Sequence, residues 1–530
     1  YTVLTSSAAS DVYKRQALDK RAMRFRIRSQ WVPGAIALSL HLVAFTAELP
    51  PSFESVQPLD FNLPEGQAIA WSDIEGDGDL DLAIGFRSKS LALFRNHNGH
   101  FVDFAREAGI ETGTVDTRSL TWADFVGDGR PDLFVGFGRG SGDGNRLYRN
   151  KSTGFVDVAA SHGLAMPNVS AGSMRQASWI DVDGDGDSDL YVAVRWGSNR
   201  LFRNDDGQFV DISAESGLAD PRRTVGASWL DMDEDGDLDL FVANQSGDRD
   251  GVYRNDQGRF VDIAAALNMD RPGRKLVDGS VGVSVCDFNN DGHFDIYVPS
   301  YGDDILYLGN GDGGYRDVSR AWGVDASEKS VASDCGDYDN DGHVDLYVAA
   351  YAVGELYGYD HLYRNIGGRF DDVLVENHRM PDADHGVRWA DFDADGDLDI
   401  AMTNRNAGAA LLRNTLGTSD TSRSLSLTLT DEEGVHGFQG AEIRVFEPGT
   451  ERVLASRLVD TGGGYVSQNL APVHIGLGST RRVDIVVTWP DGQSRRTWRF
   501  DDIDVPATSR KSMVLELEDS LATAGDNVAN

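Results

Sequence analysis

Short runs in which apolar and polar residues alternate recur along the whole chain. LDLFVAN at residues 238–244 is one; a compact apolar run, ASWL at 227–230, comes before it. After each such pair comes a third pattern: LFRNDDGQFVDI from Leu201, LYRNKSTGFVDV from Leu147, VYRNDQGRFVDI from Val252 and LYRNIGGRFDDV from Leu362. Period-two alternation predicts strands. Two such runs joined by an Asn/Gly-rich turn predict a hairpin. One unit therefore reads as four antiparallel strands, A to D.

Between the predicted strands A and B lies an acidic decapeptide of the form DxDxDGxxDL. It occurs seven times, starting at Asp73, Asp124, Asp181, Asp231, Asp287, Asp337 and Asp391. A period near fifty residues marks a repeat architecture. Seven four-stranded units predict an all-β fold, a seven-bladed β-propeller, in which radial repetition leaves only short protected edges. The seventh unit stops after its third strand near Asn414. SFESV from Ser52 resembles the fourth-strand segments and is expected to complete that last blade.

The decapeptide sets oxygen ligands at positions 1, 3, 5 and 9, with Gly at position 6 where a tight turn wants no Cβ. In the first two copies these are Asp73, Glu75, Asp77 and Asp81, then Asp124, Asp128 and Asp132, with Val126 standing at position 3. The third and fourth hold Asp181, Asp183, Asp185 and Asp189, then Asp231, Asp233, Asp235 and Asp239. The fifth has Asp287, Asn289, Asp291 and Asp295; the sixth, Asp337, Asp339, Asp341 and Asp345; the seventh, Asp391, Asp393, Asp395 and Asp399. Dense hard oxygen donors suit Ca²⁺ better than Mg²⁺, and the absence of sulfur or imidazole ligands argues against zinc. Up to seven Ca²⁺ sites are expected. An EF-hand would need Glu at position 12 between helices; Ile84, Val192 and Val242 stand there, in strand-like runs.

On these motifs the repeats resemble FG-GAP/VCBS repeats of integrin-α-like propellers, over roughly residues 51–416. From about residue 421 to 517, GFQGAEIRVF (from Gly437), GGGYVSQ (from Gly462), VHIGLG (from Val473) and VDIVVTWPDG (from Val483) are similar to the ASPIC/UnbV domain. This part reads as a small, sandwich-like β domain, and GTSDTSR from Gly417 as a linker that would leave it separable. The whole chain thus resembles the cartilage acidic protein-like family. The resemblance implies a calcium-binding extracellular protein and no known reaction.

Net charge changes the picture in one respect. The chain carries −36, yet 26 of its 85 acids fill the loop positions, so elsewhere acids exceed the 49 Lys and Arg by only ten. Loading seven Ca²⁺ would still leave about −22, which argues against any phosphate-backbone partner. Nucleic acid is excluded on that ground.

Residues 1–22 fit no repeat and read as a non-native leader. Residues 23–47, basic and then apolar from Trp31 to Phe45, have the form of a secretory signal peptide, so bacterial-type export to the periplasm or exterior is expected. The competing reading is an uncleaved membrane anchor. Residues 518–530 read as a disordered tail.

Trp71, Trp122, Trp179, Trp229 and Trp389 stand two residues before their loops, a slot expected to pack between blades. Cys335 occupies it in the sixth repeat, and Cys286 lies one residue before the fifth loop. Strand parity leaves open whether the two cysteines meet in a disulfide or stay as small buried residues.

In an antiparallel blade the A–B and C–D turns share one side, and the B–C and D–A loops share the other. The expected register brings Arg87, Arg195, Trp196, Tyr301, Tyr351 and Arg405 from B–C loops, and Arg118, Arg175 and His385 from D–A loops, to the side opposite the cations. That grouping points to a site for an anionic sugar or acidic peptide side chain; scattered arginines pairing with surplus acid is the competing reading. The favoured function is a non-catalytic adhesion or recognition module for an extracellular carbohydrate or protein ligand. A carbohydrate-active enzyme, lyase-like or hydrolytic, is the alternative, and the sequence offers no catalytic motif for it.

Overall fold

The computed structural model describes residues 53–56, 63–138, 144–167, 173–327, 329–351, 359–374, 385–405, 408–432, 434–492, 494–507, 512–518 and 523–524. The expected leader and signal peptide lie outside them.

Seven blades of four antiparallel strands are present, one per repeat; six stand as four-stranded sheets and that of blade 2 gains a fifth strand. Blade 3 is typical. Met174–Ile180, Asp189–Val194, Arg200–Asp205 and Gln208–Asp211 pair in sequence order as strands A to D. Alternation of side chains between faces would suit a half-buried strand, but strand A is buried at every position. Both its faces are covered because strand A of each blade packs on that of the next, and the seventh on the first.

The last blade closes as expected. Phe53–Ser55 pairs antiparallel with Ala410–Asn414 as the fourth strand of blade 7, so the two ends of the ring share one sheet. The tryptophan slot also lies between blades: Trp71 stacks on Phe392, Trp179 on Phe125 and Trp389 on Tyr338, at centroid distances of 6.1–6.3 Å. Each partner is position 2 of the preceding blade's acidic loop. Cys286 and Cys335 are disulfide-bonded, which joins strand A of blade 5 to strand A of blade 6.

The C-terminal domain is a two-sheet sandwich. Arg423–Thr430, Val473–Gly478 and Met513–Glu516 form one sheet; Val453–Leu458, Glu442–Phe446, Arg482–Pro490, Arg495–Asp504 and Thr523–Ala524 form the other. Leu427, Ile443, Ile485 and Trp498 lie in their common core. Thr523–Ala524 pairs with Arg496–Thr497, so the expected disordered tail contains an ordered pair of residues.

The expectation of a loosely tethered, separable domain does not hold. The linker is tied down: Thr418 Oγ1 donates to the carbonyl of Asp395 at 3.2 Å and Ser424 Oγ to that of Gly396 at 2.7 Å. More decisively, residues 460–470 enter the propeller's central channel and bond the strand A of every blade. The amides of Trp71 and Trp179 donate to Asn469 Oδ1 and Gln468 Oε1, at 3.0 and 2.7 Å. The amide of Trp229 donates to Thr461 Oγ1 at 3.2 Å. In blades 2, 5 and 6 the bonds are main-chain: Leu120 N to Val466 O at 3.1 Å, Gly464 N to Val283 O at 3.1 Å, and Ser333 N to Gly464 O at 3.2 Å. In blade 7, Arg388 donates to Asp460 Oδ2 at 2.6 Å. Ser467–Gln468 pairs in parallel with Leu120–Thr121, adding a fifth strand to the blade 2 sheet. Polar inner-strand backbone that would otherwise line a wet channel is thereby satisfied.

Candidate metal centres and the opposite channel mouth

Each acidic loop is a turn tied by its own carboxylates. In blade 3 the amides of Gly184 and Gly186 donate to Asp181 at 2.8 and 2.9 Å, and Asp187 N donates to Asp185 Oδ1 at 2.9 Å. Position 6 has φ between +77° in Gly129 and +104° in Gly236, a region that L side chains enter only at a cost, which is why glycine stands there throughout. Position 9 joins loop to sheet: Val182 N donates to Asp189 Oδ2 at 2.9 Å and Asn204 N to Asp189 Oδ1 at 2.7 Å.

Carboxylate oxygens from positions 1, 3 and 9 lie within 4.8 Å of one another in four loops: Asp181, Asp183 and Asp189; Asp231, Asp233 and Asp239; Asp337, Asp339 and Asp345; Asp391, Asp393 and Asp399. The position-5 carboxylates Asp185, Asp235, Asp341 and Asp395 are outside these clusters and accept the amide of position 7. Loops 1, 2 and 5 form no such triad. Glu75 pairs with Arg95 while staying beside Asp81, Val126 has no side-chain oxygen to give, and Asn289 donates to Asp291 at 2.7 Å. A further acidic group, Asp77 and Asp79 with His97, lies at loop 1.

The arrangement fits a cation. Asp233 Oδ1, Asp339 Oδ1 and Asp393 Oδ1, all at position 3, are buried and accept no hydrogen bond. A buried charged oxygen without a partner is costly, and a hard cation would satisfy all three. Burial first, and mutual repulsion among neighbouring carboxylates after it, push Asp391 up to about 8 and hold Asp189, Asp239 and Asp399 well above the usual carboxylate range. Burial likewise raises Asp181 to about 7 and Asp337 to about 8, the latter against the opposing pull of the Arg457 guanidinium. These residues can hold a metal ion.

The C-terminal domain sits on this same face. Arg495 Nη1 reaches Asp231 Oδ2 at 3.0 Å, Arg444 Nη2 reaches Glu234 Oε1 at 3.0 Å, and Gly492 N donates to the Gly236 carbonyl at 3.1 Å. Glu442, fully buried, lies between Arg444 and Arg495. His474 Nε2 lies 3.1 Å from the Gly396 carbonyl.

At the other end of the channel the expected ligand residues do assemble. Arg118 donates to Gln67 Oε1 at 2.6 Å and pairs with Asp116 at 2.8 Å. Tyr301 stacks on Tyr351 at 6.2 Å, and His385 meets the edge of Tyr351 at 5.5 Å. Arg405 donates to the Tyr351 hydroxyl. Burial, with the nearby guanidiniums of Arg118 and Arg405, lowers Arg87. Burial pulls Arg175 down to about 10 and, with Arg118, Arg87, Arg405 and Arg175 around it, keeps His385 well below the usual histidine range. Trp196 lies further out, 45 % exposed, with Arg195 and Arg223 each 5.4 Å from its ring.

Two functional groups escaped the sequence reading. One is the channel segment, whose only signal is the glycine run Gly462–Gly464 ahead of YVSQN. The other is the asparagine of the repeated RN pair. Asn96, Asn150, Asn204, Asn365 and Asn414 each donate Nδ2 to the position-2 carbonyl of the preceding blade's loop, at 2.7–3.2 Å. Its recurrence was visible; its partner, about 76 residues earlier in most blades, was not.

The comparisons agree with this architecture. The FG-GAP-like repeat matches residues 73–135, 124–192, 181–242, 231–298 and 287–348, and the ASPIC and UnbV family matches 435–504. Cartilage acidic protein 1 of Mus musculus is 25 % identical over 503 residues, covering 84 % of this chain and 73 % of the relative. That of Homo sapiens is 24 % identical over 498 residues, covering 84 % and 71 %. Among solved structures, an Agrocybe aegerita lectin that recognises non-reducing terminal N-acetylglucosamine is 18 % identical with a TM-score of 0.38, covering 64 % of this chain and 86 % of its own. BBS1N in complex with ARL6DN is 11 % identical with a TM-score of 0.43, covering 68 % and 97 %. With repeat matches that span more than half its length and a C-terminal match following them, the chain belongs to the FG-GAP-repeat family and carries an ASPIC/UnbV domain.

Proposed function

We propose that this chain is an exported, non-catalytic recognition protein in which Ca²⁺ holds the loops of one propeller face and the opposite channel mouth binds an extracellular carbohydrate or protein ligand. The observation that carries the reading is the collection of Arg87, Arg118, Arg175, Arg195 and Arg405 with Tyr301 and Tyr351 at one mouth. Among the described residues, Asp116, 2.8 Å from Arg118, is an acid paired with one of these arginines. The acidic loops and the sheets of the C-terminal domain occupy the other face, and only that domain's 460–470 segment reaches into the channel between the two. Calcium is favoured over magnesium by the all-oxygen, carboxylate-rich loops. Kinship with proteins named cartilage acidic protein supports an extracellular, non-enzymatic role.

The test is binding of the calcium-loaded chain to an array of neutral and anionic glycans and acidic peptides, followed by a product assay on every ligand retained. Binding to anionic ligands, reduced by Arg195→Ala with Trp196→Ala and accompanied by no product, is expected. Turnover of a bound glycan would establish an enzyme, and retention unaffected by the substitutions would remove the mouth from the account.

A further inference from the structure

Residues 460–470 form a loop that enters the channel from the cation face and turns back within it. Its depth follows from the strand A residues it meets. Thr461 and Leu470, at its two ends, bond Trp229 and Trp71, each two residues before an acidic loop. Gly464 and Val466, further in, bond Val283 and Leu120, each four residues before. Tyr465 stands at the turn. Arg118 and Arg175 lie two residues deeper still along the same strands, at the basic mouth. Tyr465 and Val466 are 6 % and 2 % exposed and pack with Val225, Val281, Val331 and Val387 from four blades, with Tyr301 and Tyr351 against the same cluster. The channel is therefore stopped just beneath the arginines.

Above the stop, among the described residues, several buried donors have no partner, although Asp116 and Gln67 serve Arg118. Arg175 is 7 % exposed, yet its Nε and Nη1 bond nothing; Arg87 Nε, Arg195 Nε and His385 Nδ1 are likewise buried without a partner. Buried guanidinium donors left unpaired are costly, and a planar carboxylate, which can take two parallel bonds from one guanidinium, matches them. The stacked pair Tyr301 and Tyr351 lines the site with aromatic surface, and Trp196, 45 % exposed, adds a further ring beside the charges, which suits a sugar better than a bare ion.

Resting on the recognition reading above, we infer that the C-terminal domain completes the ligand site: Tyr465 closes its floor and makes the mouth a dead-ended pocket for an acidic sugar residue at the end of a glycan chain. A polymer cannot thread a stopped channel, so acidic residues in the interior of a chain are excluded while a terminal one enters. Arg175 and Arg87 bind the carboxylate, with the Tyr465 phenol close to Arg175.

The experiment uses the full calcium-loaded chain and titration calorimetry with four probes: free glucuronate, an oligosaccharide ending in glucuronate, a polymer carrying glucuronate only at internal positions, and a short peptide with a free C-terminal carboxylate. Both terminal probes should bind and the internal polymer should bind at least tenfold more weakly. Arg175→Met should weaken the terminal probes at least tenfold, and Tyr465→Phe about threefold, with thermal midpoints kept near that of the parent. Equal affinity for internal and terminal glucuronate, or terminal binding indifferent to both substitutions, overturns the inference. If the polymer then binds through Arg195 and Trp196, the recognition reading stands without it. A preference for a peptide with a free C-terminal carboxylate overturns the glycan assignment. Failure of every probe overturns this inference, and the recognition reading then falls only if the glycan and peptide array also shows no retained ligand.

Discussion

Asn365 Nδ2 donates to the carbonyl of Phe288 in the neighbouring blade at 2.7 Å, while its own amide donates to Asp345 Oδ1 at the same distance. Phe288 N in turn donates to Asp295 Oδ2 at 2.8 Å. A position-9 aspartate is thus linked through one asparagine to the position-9 aspartate of the preceding blade. Asn365→Ala leaves a buried carbonyl without its donor and should cost about 1–3 kcal/mol. Chemical denaturation at saturating calcium checks this; a loss below about 0.5 kcal/mol would show that the side chain is replaceable.

Loop 2 should fill last. It lacks a carboxylate at position 3, and Asp128 is already held by Arg130 at 2.7 Å and Arg149 at 3.3 Å. Fewer charged ligands lower calcium affinity. Anomalous scattering from crystals equilibrated at graded calcium should show the loops beginning at Asp181, Asp231, Asp337 and Asp391 occupied before that at Asp124.

Arg388 is the cationic pin of the channel segment. It is buried between Asp334, 3.5 Å away, and Asp460, 2.6 Å away. Removing one partner of a buried pair costs about 3–5 kcal/mol, so Arg388→Met should lower the melting midpoint strongly and expose residues 460–470 to protease. A chain ending near Asn414 should fare worse, since it leaves seven inner strands without the groups they bond.

Without cation, stability should depend on pH in a specific direction. Asp181, Asp337 and Asp391 titrate near 7–8 when folded, burial being the first cause in each case, against about 3.9 when unfolded. A raised folded value contributes stability that is full below about pH 4 and is lost as pH rises through about 7–8. The chelated chain should therefore melt higher at about pH 6 than at about pH 8, and the calcium-loaded chain should not show that rise.

Repeat and strand order were legible because each is a local pattern repeated seven times; the tryptophan slot recurs in five repeats, and ring closure showed as a spare strand at one end and a missing one at the other. Asp181 and Asp189 announce themselves by spacing alone. What stayed hidden depends on residues far apart in sequence: Gln468 with Trp179, Arg495 with Asp231, Asn414 with Tyr338. The GTSDTSR stretch has a linker's composition, and what ties it down lies elsewhere in sequence: Asp397 Oδ2 takes the Gly417 amide, the Asp395 carbonyl takes Thr418 and the Val505 carbonyl takes Arg423. Strand parity at Cys286 could not say which way its side chain faced across the blade interface; the disulfide to Cys335 settles that.

The central claim, that the acidic loops are structural calcium sites, is tested most directly by the melting midpoint of the full chain in excess Ca²⁺, excess Mg²⁺ and EDTA. With a dissociation constant of ~10⁻⁴ M, ~1 mM Ca²⁺ contributes roughly 1.4 kcal/mol per site by mass action, about 6 kcal/mol over the four loops that gather a carboxylate triad. The account predicts a large fall in midpoint on chelation, reversed by Ca²⁺ and only weakly by Mg²⁺. A midpoint that ignores EDTA, or that Mg²⁺ restores as fully as Ca²⁺, would contradict it.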